Sequence, residues 1–219
     1  DAPISNFLGN NNPNNFYALR NRRGTDGFRF VAHDSEHTLL NLYEDRTGPY
    51  AAGNTSASYS NPQWMWQKMW SNAEFRIRMA DRVHKHFFNG GALTPEACTA
   101  RLMRRKNEID RAIVGESARW GDSKRATPRT RDDWLAAVNT ILNSFVPNRT
   151  QVVLNQLRAK NLYPSVAAPT FNRHGGPVNA GFTLTIAAPS GMVYYTLDGS
   201  DPRLRGGAVS PVASRYSGP

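Results

Sequence analysis

The sequence predicts an α+β fold with a small β-hairpin near its start, four consecutive amphipathic helices, and a partial β-sandwich at its end. Two aromatic runs enclose a glycine-containing turn between residues 16 and 34, apolar residues recur at helical spacing from 62 to 161, and alternating patterns begin at 182. A length of 219 residues with 39% hydrophobic residues allows one large or two small domains. We place the boundary in a linker at 162–164, which gives domains 1–163 and 164–219.

The predicted hairpin brings together two polar residues, one before its first strand and one after its second. A first run, Phe16–Arg20, and a second run, Phe28–Asp34, are joined by a turn at 21–27. The start of the first strand lies beside the end of the second in an antiparallel pair, so we expect Asn15 close to Asp34. An amide oxygen and a carboxylate there form half of a site for a divalent cation carrying phosphate. Alternatively, both are ordinary turn residues.

From Pro62 the spacing of apolar residues becomes helical. The segment Ser71–Glu74 has the form of a capping box, and the helix after it carries apolar residues over much of its circumference until Gly90. That distribution predicts a well-buried helix. Three tryptophans precede it and are expected to pack in the core, with a sugar-binding platform as the alternative. They are Trp64, Trp66 and Trp70.

Three further helices follow. Thr94 is a predicted N-cap for a helix that runs to Trp120 and is followed by a basic loop at 122–129. Residues 130–133 are expected to begin a third helix, which stops before Pro147 because proline cannot continue a helix interior. A fourth helix is predicted from about 148 to 161.

The C-terminal segment carries strand patterns at 182–186 and 192–197. Residues 194–202 resemble the small fibronectin-like domain found at the C-terminus of chitobiases. The resemblance covers roughly 167–219 and stops short of a seven-stranded sandwich. It implies a module that spaces or binds, in an extracytoplasmic parent protein.

Charge and cysteine content limit the function classes. The 27 Lys and Arg residues exceed the 17 acids, and a net charge of +10 favours acidic partners. The single Cys98 excludes an internal disulfide, and the His and acidic residues at 33–37 lack the spacing of a zinc protease. No apolar run is long enough to span a membrane. The chain opens on Asp1, from which we expect a fragment of a longer protein.

Three motifs occur in the order found in the CotH kinase family, a group of atypical, often secreted bacterial kinases, and residues 1–163 resemble its C-terminal half. The motifs are Asn15–Ala18, Phe28–His37 and Phe75–Val83. The resemblance implies the helical C-terminal lobe of a kinase-like fold that transfers phosphate from ATP. It also implies Mg²⁺ (or Mn²⁺) held near Asn15 and Asp34.

One position departs from that family. The catalytic Asp is expected about five residues before the metal-binding Asn, which is Asn10 here, and no carboxylate occurs in Asn10–Asn12. A neutral amide cannot act as a base at neutral pH. The implied protein is therefore an active kinase or a degenerate kinase-like domain that binds or scaffolds at the cell surface. A third hypothesis is a basic surface protein that holds an anionic wall polymer.

The partners implied are a protein substrate or an acidic cell-surface polymer, with no specific nucleic acid and no transmembrane segment in this fragment. The location implied is extracytoplasmic.

Overall fold

The computed structural model describes residues 15–35, 37–48 and 62–218 and shows an α+β fold that is about 41% helical. The strands are β1 Phe16–Leu19, β2 Arg29–Ala32, β3 Thr170–Phe171, β4 Ile186–Ala187, β5 Tyr194–Tyr195 and β6 Ser214–Arg215. The helices are α1 Pro62–Met69, α2 Ala73–Phe87, α3 Pro95–Trp120, α4 Arg131–Thr140 and α5 Val146–Ala159, with a π-helical turn at Ile141–Phe145. None of these helices has the length and apolarity needed to cross a bilayer.

The predicted hairpin is confirmed. Strands β1 and β2 pair antiparallel with Phe16 opposite Ala32 and Leu19 opposite Arg29. Because successive side chains of a strand alternate between faces, Tyr17 and Leu19 share one face. Their side chains are 60% and 65% exposed, so the hairpin presents apolar surface to solvent.

The helix starts follow the capping signals in two of three cases. The Thr94 hydroxyl accepts a hydrogen bond from the Ala97 amide at 3.3 Å, and Pro95 opens α3 as predicted. Thr130 and Asp133 form a reciprocal capping box at the start of α4. At α2 the predicted capping box is wrong, because Asn72 is the N-cap and its side chain accepts from the Phe75 amide at 3.0 Å.

Pro147 does not stop the helix before it, which corrects the prediction. The chain remains helical from α4 through the π-helical turn into α5. The Val146 amide donates to the carbonyl of Ile141, five residues back, so the turn is wider than an α-helical turn. Pro147 lies in the first turn of α5 and, having no N–H, donates no hydrogen bond to the helical turn before it. The wider turn makes room for the proline ring.

The core forms where α5 packs against α2. Its buried members are Val83, Leu154, Leu157, Leu162 and Tyr163. Trp66 and Trp70 pack against this cluster, with ring centroids 5.1 Å apart, as predicted, whereas the side chain of Trp64 lies outside the described part of the structure. Helix α2 is less buried than predicted, since Val83 is its single fully buried residue.

Leu162 and Tyr163 were predicted to belong to a linker, yet both are buried in the core. Leu162 is the most buried large side chain of the described residues, with 1% of its surface exposed. The left-handed backbone of Asn161 (φ 56°) ends the helical path of α5, and the next two side chains fold back over its last turns. The Leu162 amide donates to the carbonyl of Leu157 at 2.9 Å, which fixes that return.

The paired strands of the C-terminal segment are shorter than the sequence predicts. Strand β3 pairs with β4 and β5 pairs with β6, each over two residues, and Arg203 bridges to Val209. Of the predicted run at 182–186, Ile186 alone is paired within a strand. The Ile186 amide also donates to the Tyr216 hydroxyl at 3.2 Å, which connects the two small sheets.

A paired carboxylate holds the C-terminal segment against α2. Glu74 accepts two hydrogen bonds from the Arg203 guanidinium, at 2.9 and 2.8 Å, and one from the Gly206 amide at 2.7 Å. The hydrogen bonds from Arg203, followed by the one from Gly206, lower the pKa of Glu74 from 4.5 to about 2. Glu74, the last residue of the predicted capping box, therefore anchors the distant turn at 203–206.

Replacing Leu162 tests whether the chain after α5 belongs to the core. Leu162→Ala is expected to lower the free energy of unfolding by about 2–5 kcal/mol, because it leaves a cavity in a fully buried site. Leu197→Ala is the matched control, since Leu197 is 93% exposed and its loss is expected to cost less than about 0.5 kcal/mol. Urea unfolding of the two variants measures both values, and equal losses would contradict the buried position of Leu162.

Acid titration tests the contact between Glu74 and Arg203. Because folding lowers the pKa of Glu74, its contribution to stability is complete above pH 4.5 and is lost as the pH falls toward 2. The Glu74→Gln variant is expected to lose less stability than the wild-type protein over that interval. Glu116→Gln, which removes an exposed carboxylate of α3, is the control. Chemical denaturation at a series of pH values measures the difference, and identical pH dependence in Glu74→Gln and wild type would show that the contact does not form.

Candidate metal site at the hairpin

The closure of the hairpin brings Asn15 and Asp34 together, as the register of an antiparallel pair predicts. The Asn15 side-chain amide donates to the Asp34 carboxylate at 3.0 Å and to the Asp34 carbonyl at 3.3 Å. Both residues have left-handed backbone, with φ of 51° and 52°. Asn and Asp tolerate this conformation better than most residues, so the two polar side chains also suit the backbone that the hairpin ends require.

The side chains around this pair limit what it can hold. The ring of His33 packs edge-on against Tyr17 with centroids 5.3 Å apart. Within residues 15–35, 37–48 and 62–218, no three His, Cys, Asp or Glu side chains form a cluster able to hold a metal ion. A zinc-type site is therefore not formed by the described residues, since such a site needs three or four protein ligands.

Magnesium is bound differently, because it keeps several waters and takes one or two carboxylates together with phosphate oxygens. Asp34 supplies an exposed carboxylate at this strand end, and Asn15 supplies an amide that directs its N–H group to that carboxylate and would bind a cation through its oxygen after turning over. This donor set fits a hard cation that brings most of its own ligands. Bound there, the cation would neutralise phosphate charge.

The segment after Asp34 is fixed to α5, which the sequence did not predict. The Arg149 guanidinium donates to the carbonyls of Leu42 and Glu44, the latter at 2.9 Å. The Gln156 amide donates to the carbonyl of Tyr43 at 3.0 Å. Residues 42–44 thus lie along one face of α5.

The same helix face contributes a charged contact. Lys160 forms an ion pair with Asp45 and donates to the Thr47 hydroxyl at 2.5 Å. Burial raises the pKa of Asp45, but the hydrogen bonds from Lys160 and Thr47 outweigh it and the pKa is lowered. Burial also lowers the pKa of Arg149, and the nearby Glu44 and Asp45 oppose that shift.

The spacing of these α5 residues is the signal that could have revealed the contact. Arg149, Gln156 and Lys160 are seven and four residues apart, so they share one helix face, opposite in character to the face of Leu154 and Leu157. Asn10, the residue at the expected position of the catalytic Asp, lies outside the described residues, as do Asn11 and Asn12.

Removing the Arg149 guanidinium tests whether α5 fixes the segment at 41–48. Arg149→Met keeps an unbranched side chain but removes two hydrogen bonds to backbone carbonyls. Hydrogen bonds from charged groups contribute about 1.5–3 kcal/mol each, so amide exchange in this segment is expected to accelerate at least tenfold.

Hydrogen–deuterium exchange measured by mass spectrometry resolves the effect by segment. Arg111→Met, an exposed change on α3, is the control. An equal acceleration in α5 would indicate global unfolding instead of local release, and unchanged exchange at 41–48 would show that Arg149 does not hold the segment.

No protein-family model matches this chain, and no curated protein or solved structure matches it.

Proposed function

We propose that residues 1–163 are the C-terminal part of a CotH-like kinase domain and that residues 164–219 begin a fibronectin-like module of a secreted bacterial protein. The activity proposed is phosphoryl transfer from ATP in the intact protein, with Mg²⁺ (or Mn²⁺) held near Asn15 and Asp34. The observation that supports this most is the 3.0 Å contact between the Asn15 amide and the Asp34 carboxylate. Two residues nineteen positions apart are brought to one point by the hairpin.

The roles proposed for these residues follow from their chemistry. Asp34 supplies the full negative charge that attracts a divalent cation, and Asn15 supplies a neutral oxygen that completes the protein's share of the ligands. The paired backbone of β1 and β2 holds both residues at one strand end before a ligand arrives, so the Asn15 amide needs only to turn its oxygen toward the cation. The helices α1 to α5 are proposed as the helical lobe of the kinase-like fold.

A second candidate is a kinase-like domain that binds or scaffolds without catalysis. The absence of a carboxylate at Asn10–Asn12 favours it, because no base would accept the proton of the attacking hydroxyl. The hairpin adds a specific observation: the side chains of Tyr17 and Leu19 are largely exposed, and contiguous apolar surface is typical of a partner-binding region. The two candidates share a fold and differ in whether phosphate is transferred.

Removing the charge of Asp34 separates them. In the full-length protein, Asp34→Asn is expected to reduce magnesium-dependent phosphate incorporation by about a hundredfold or more, since the cation loses its charged ligand. Asp26→Asn is the matched control, because Asp26 belongs to the same hairpin and pairs with Arg29 at 3.0 Å on the surface. Incorporation of labelled phosphate from ATP measures both variants.

Each outcome favours one candidate. Transfer by the wild-type protein that Asp34→Asn abolishes and Asp26→Asn leaves intact supports the kinase. Transfer that Asp34→Asn leaves unchanged would remove Asp34 from the metal site. No transfer by the wild-type protein, with transfer gained in Asn10→Asp, supports the degenerate domain.

A further inference from the structure

A charged cleft lies between α2 and the turn at 201–205, and none of its lining residues belongs to the hairpin. It encloses about 460 Å³, within the usual range for small-ligand sites. Five cations and three carboxylates line it, which gives it a net charge of +2. Helix α2 contributes Arg78, Arg82 and Lys85, and the turn contributes Arg203 and Arg205.

One of these cations has a structural role. Arg203 forms a two-bond ion pair with Glu74, and Glu74 also accepts the Gly206 amide. These contacts join the far wall of the cleft to α2, so the opening between them is fixed by the fold. Of the other acids, Asp201 accepts the Arg203 amide at 2.8 Å and is thereby part of the turn.

The other four cations of the cleft form no hydrogen bond or ion pair within the described part of the chain. They are Arg78, Arg82, Lys85 and Arg205. The three on α2 are four and three residues apart, which places them on one face of the helix. At 1.5 Å per residue this row extends about 10 Å along the helix axis.

Asp81 also lines the cleft, three residues after Arg78 and four before Lys85, and it offsets part of this charge, but the cations still exceed the carboxylates by two. Like charges this close repel one another unless counter-charges balance them. An arginine fork binds phosphate oxygens through two parallel hydrogen bonds, and a lysine supplies a mobile point charge. A row of two arginines and one lysine facing a further arginine therefore matches a ligand with several adjacent anionic oxygens.

We infer that this cleft binds a ligand carrying two or more neighbouring phosphate groups, with Arg82 and Lys85 on α2 and Arg205 on the opposite wall as its main contacts. The phosphates can belong to a linear polyphosphate, as in a nucleotide, or to the phosphodiesters of a short chain. This inference does not depend on a metal bound at Asn15 and Asp34, because the two sites share no residue.

Binding of inorganic tripolyphosphate and of a short glycerol phosphodiester oligomer, each without added metal, tests the cleft by isothermal titration calorimetry. The wild-type chain is expected to bind at least one of these probes, and the better probe identifies the source of the phosphates. The double variant Arg82→Gln/Lys85→Gln is expected to weaken binding at least tenfold. Both residues are exposed, so the change does not disturb the core.

The matched control removes two charges elsewhere. Arg111→Gln/Lys124→Gln changes the net charge equally at exposed positions outside the cleft and is expected to bind within about twofold of wild type. Equal weakening in both double variants would show that binding reports net charge and would overturn the site.

Absence of binding by the wild-type chain, or full binding by the cleft variant, would also overturn it. Calorimetry measures binding and not phosphate transfer, so the result for the cleft does not depend on whether the protein is a kinase.

Discussion

The burial of one face of α5 is the constraint on which the other contacts depend. Leu154 and Leu157 lie on that face and pack with Val83 of α2, and Leu162 returns over them after the helix ends. The other face of α5 is polar, and its Arg149 and Gln156 donate hydrogen bonds to backbone carbonyls of the segment at 41–48. Helix α5 thus connects the core to the segment that follows the candidate site.

The π-helical turn sets the orientation of α5, so that one face packs in the core and the other contacts the segment at 41–48. A strict α-helix through Pro147 would bring its ring against the carbonyl of Asn143, four residues back. Adding one residue to the turn removes that conflict and rotates everything after it by about 100°, the angle per residue of an α-helix. The direction of the apolar face of α5 is therefore set by this turn.

Much of the local structure could be predicted from sequence, because its causes are local. The Thr94 and Thr130 caps need only residues within one turn, and the hairpin register that joins Asn15 to Asp34 follows from the pairing of adjacent strands. The burial of Leu162 and the partner of Glu74 could not be predicted in this way. Each depends on a residue brought near by packing, and a short polar or aromatic stretch looks the same in a linker as in a core.

The arginines show why a net charge of +10 does not describe the surface by itself. Arg131 makes a two-bond ion pair with Asp110, both bonds at 2.8 Å, which joins α4 to α3 and lowers the pKa of Asp110. Arg149 is committed to backbone carbonyls and Arg203 to Glu74.

The guanidinium groups of these three arginines are already hydrogen-bonded within the fold. They therefore stabilise it and contribute little to the binding of a partner. The attraction available to a phosphate ligand comes instead from cations whose hydrogen bonds are unused, and several of these line one cleft. Composition counts both kinds of arginine alike, whereas the arrangement of partners separates them. The cations of the described residues thus include arginines whose partners belong to the fold and a separate group in the cleft that has no hydrogen-bond partner among the described residues.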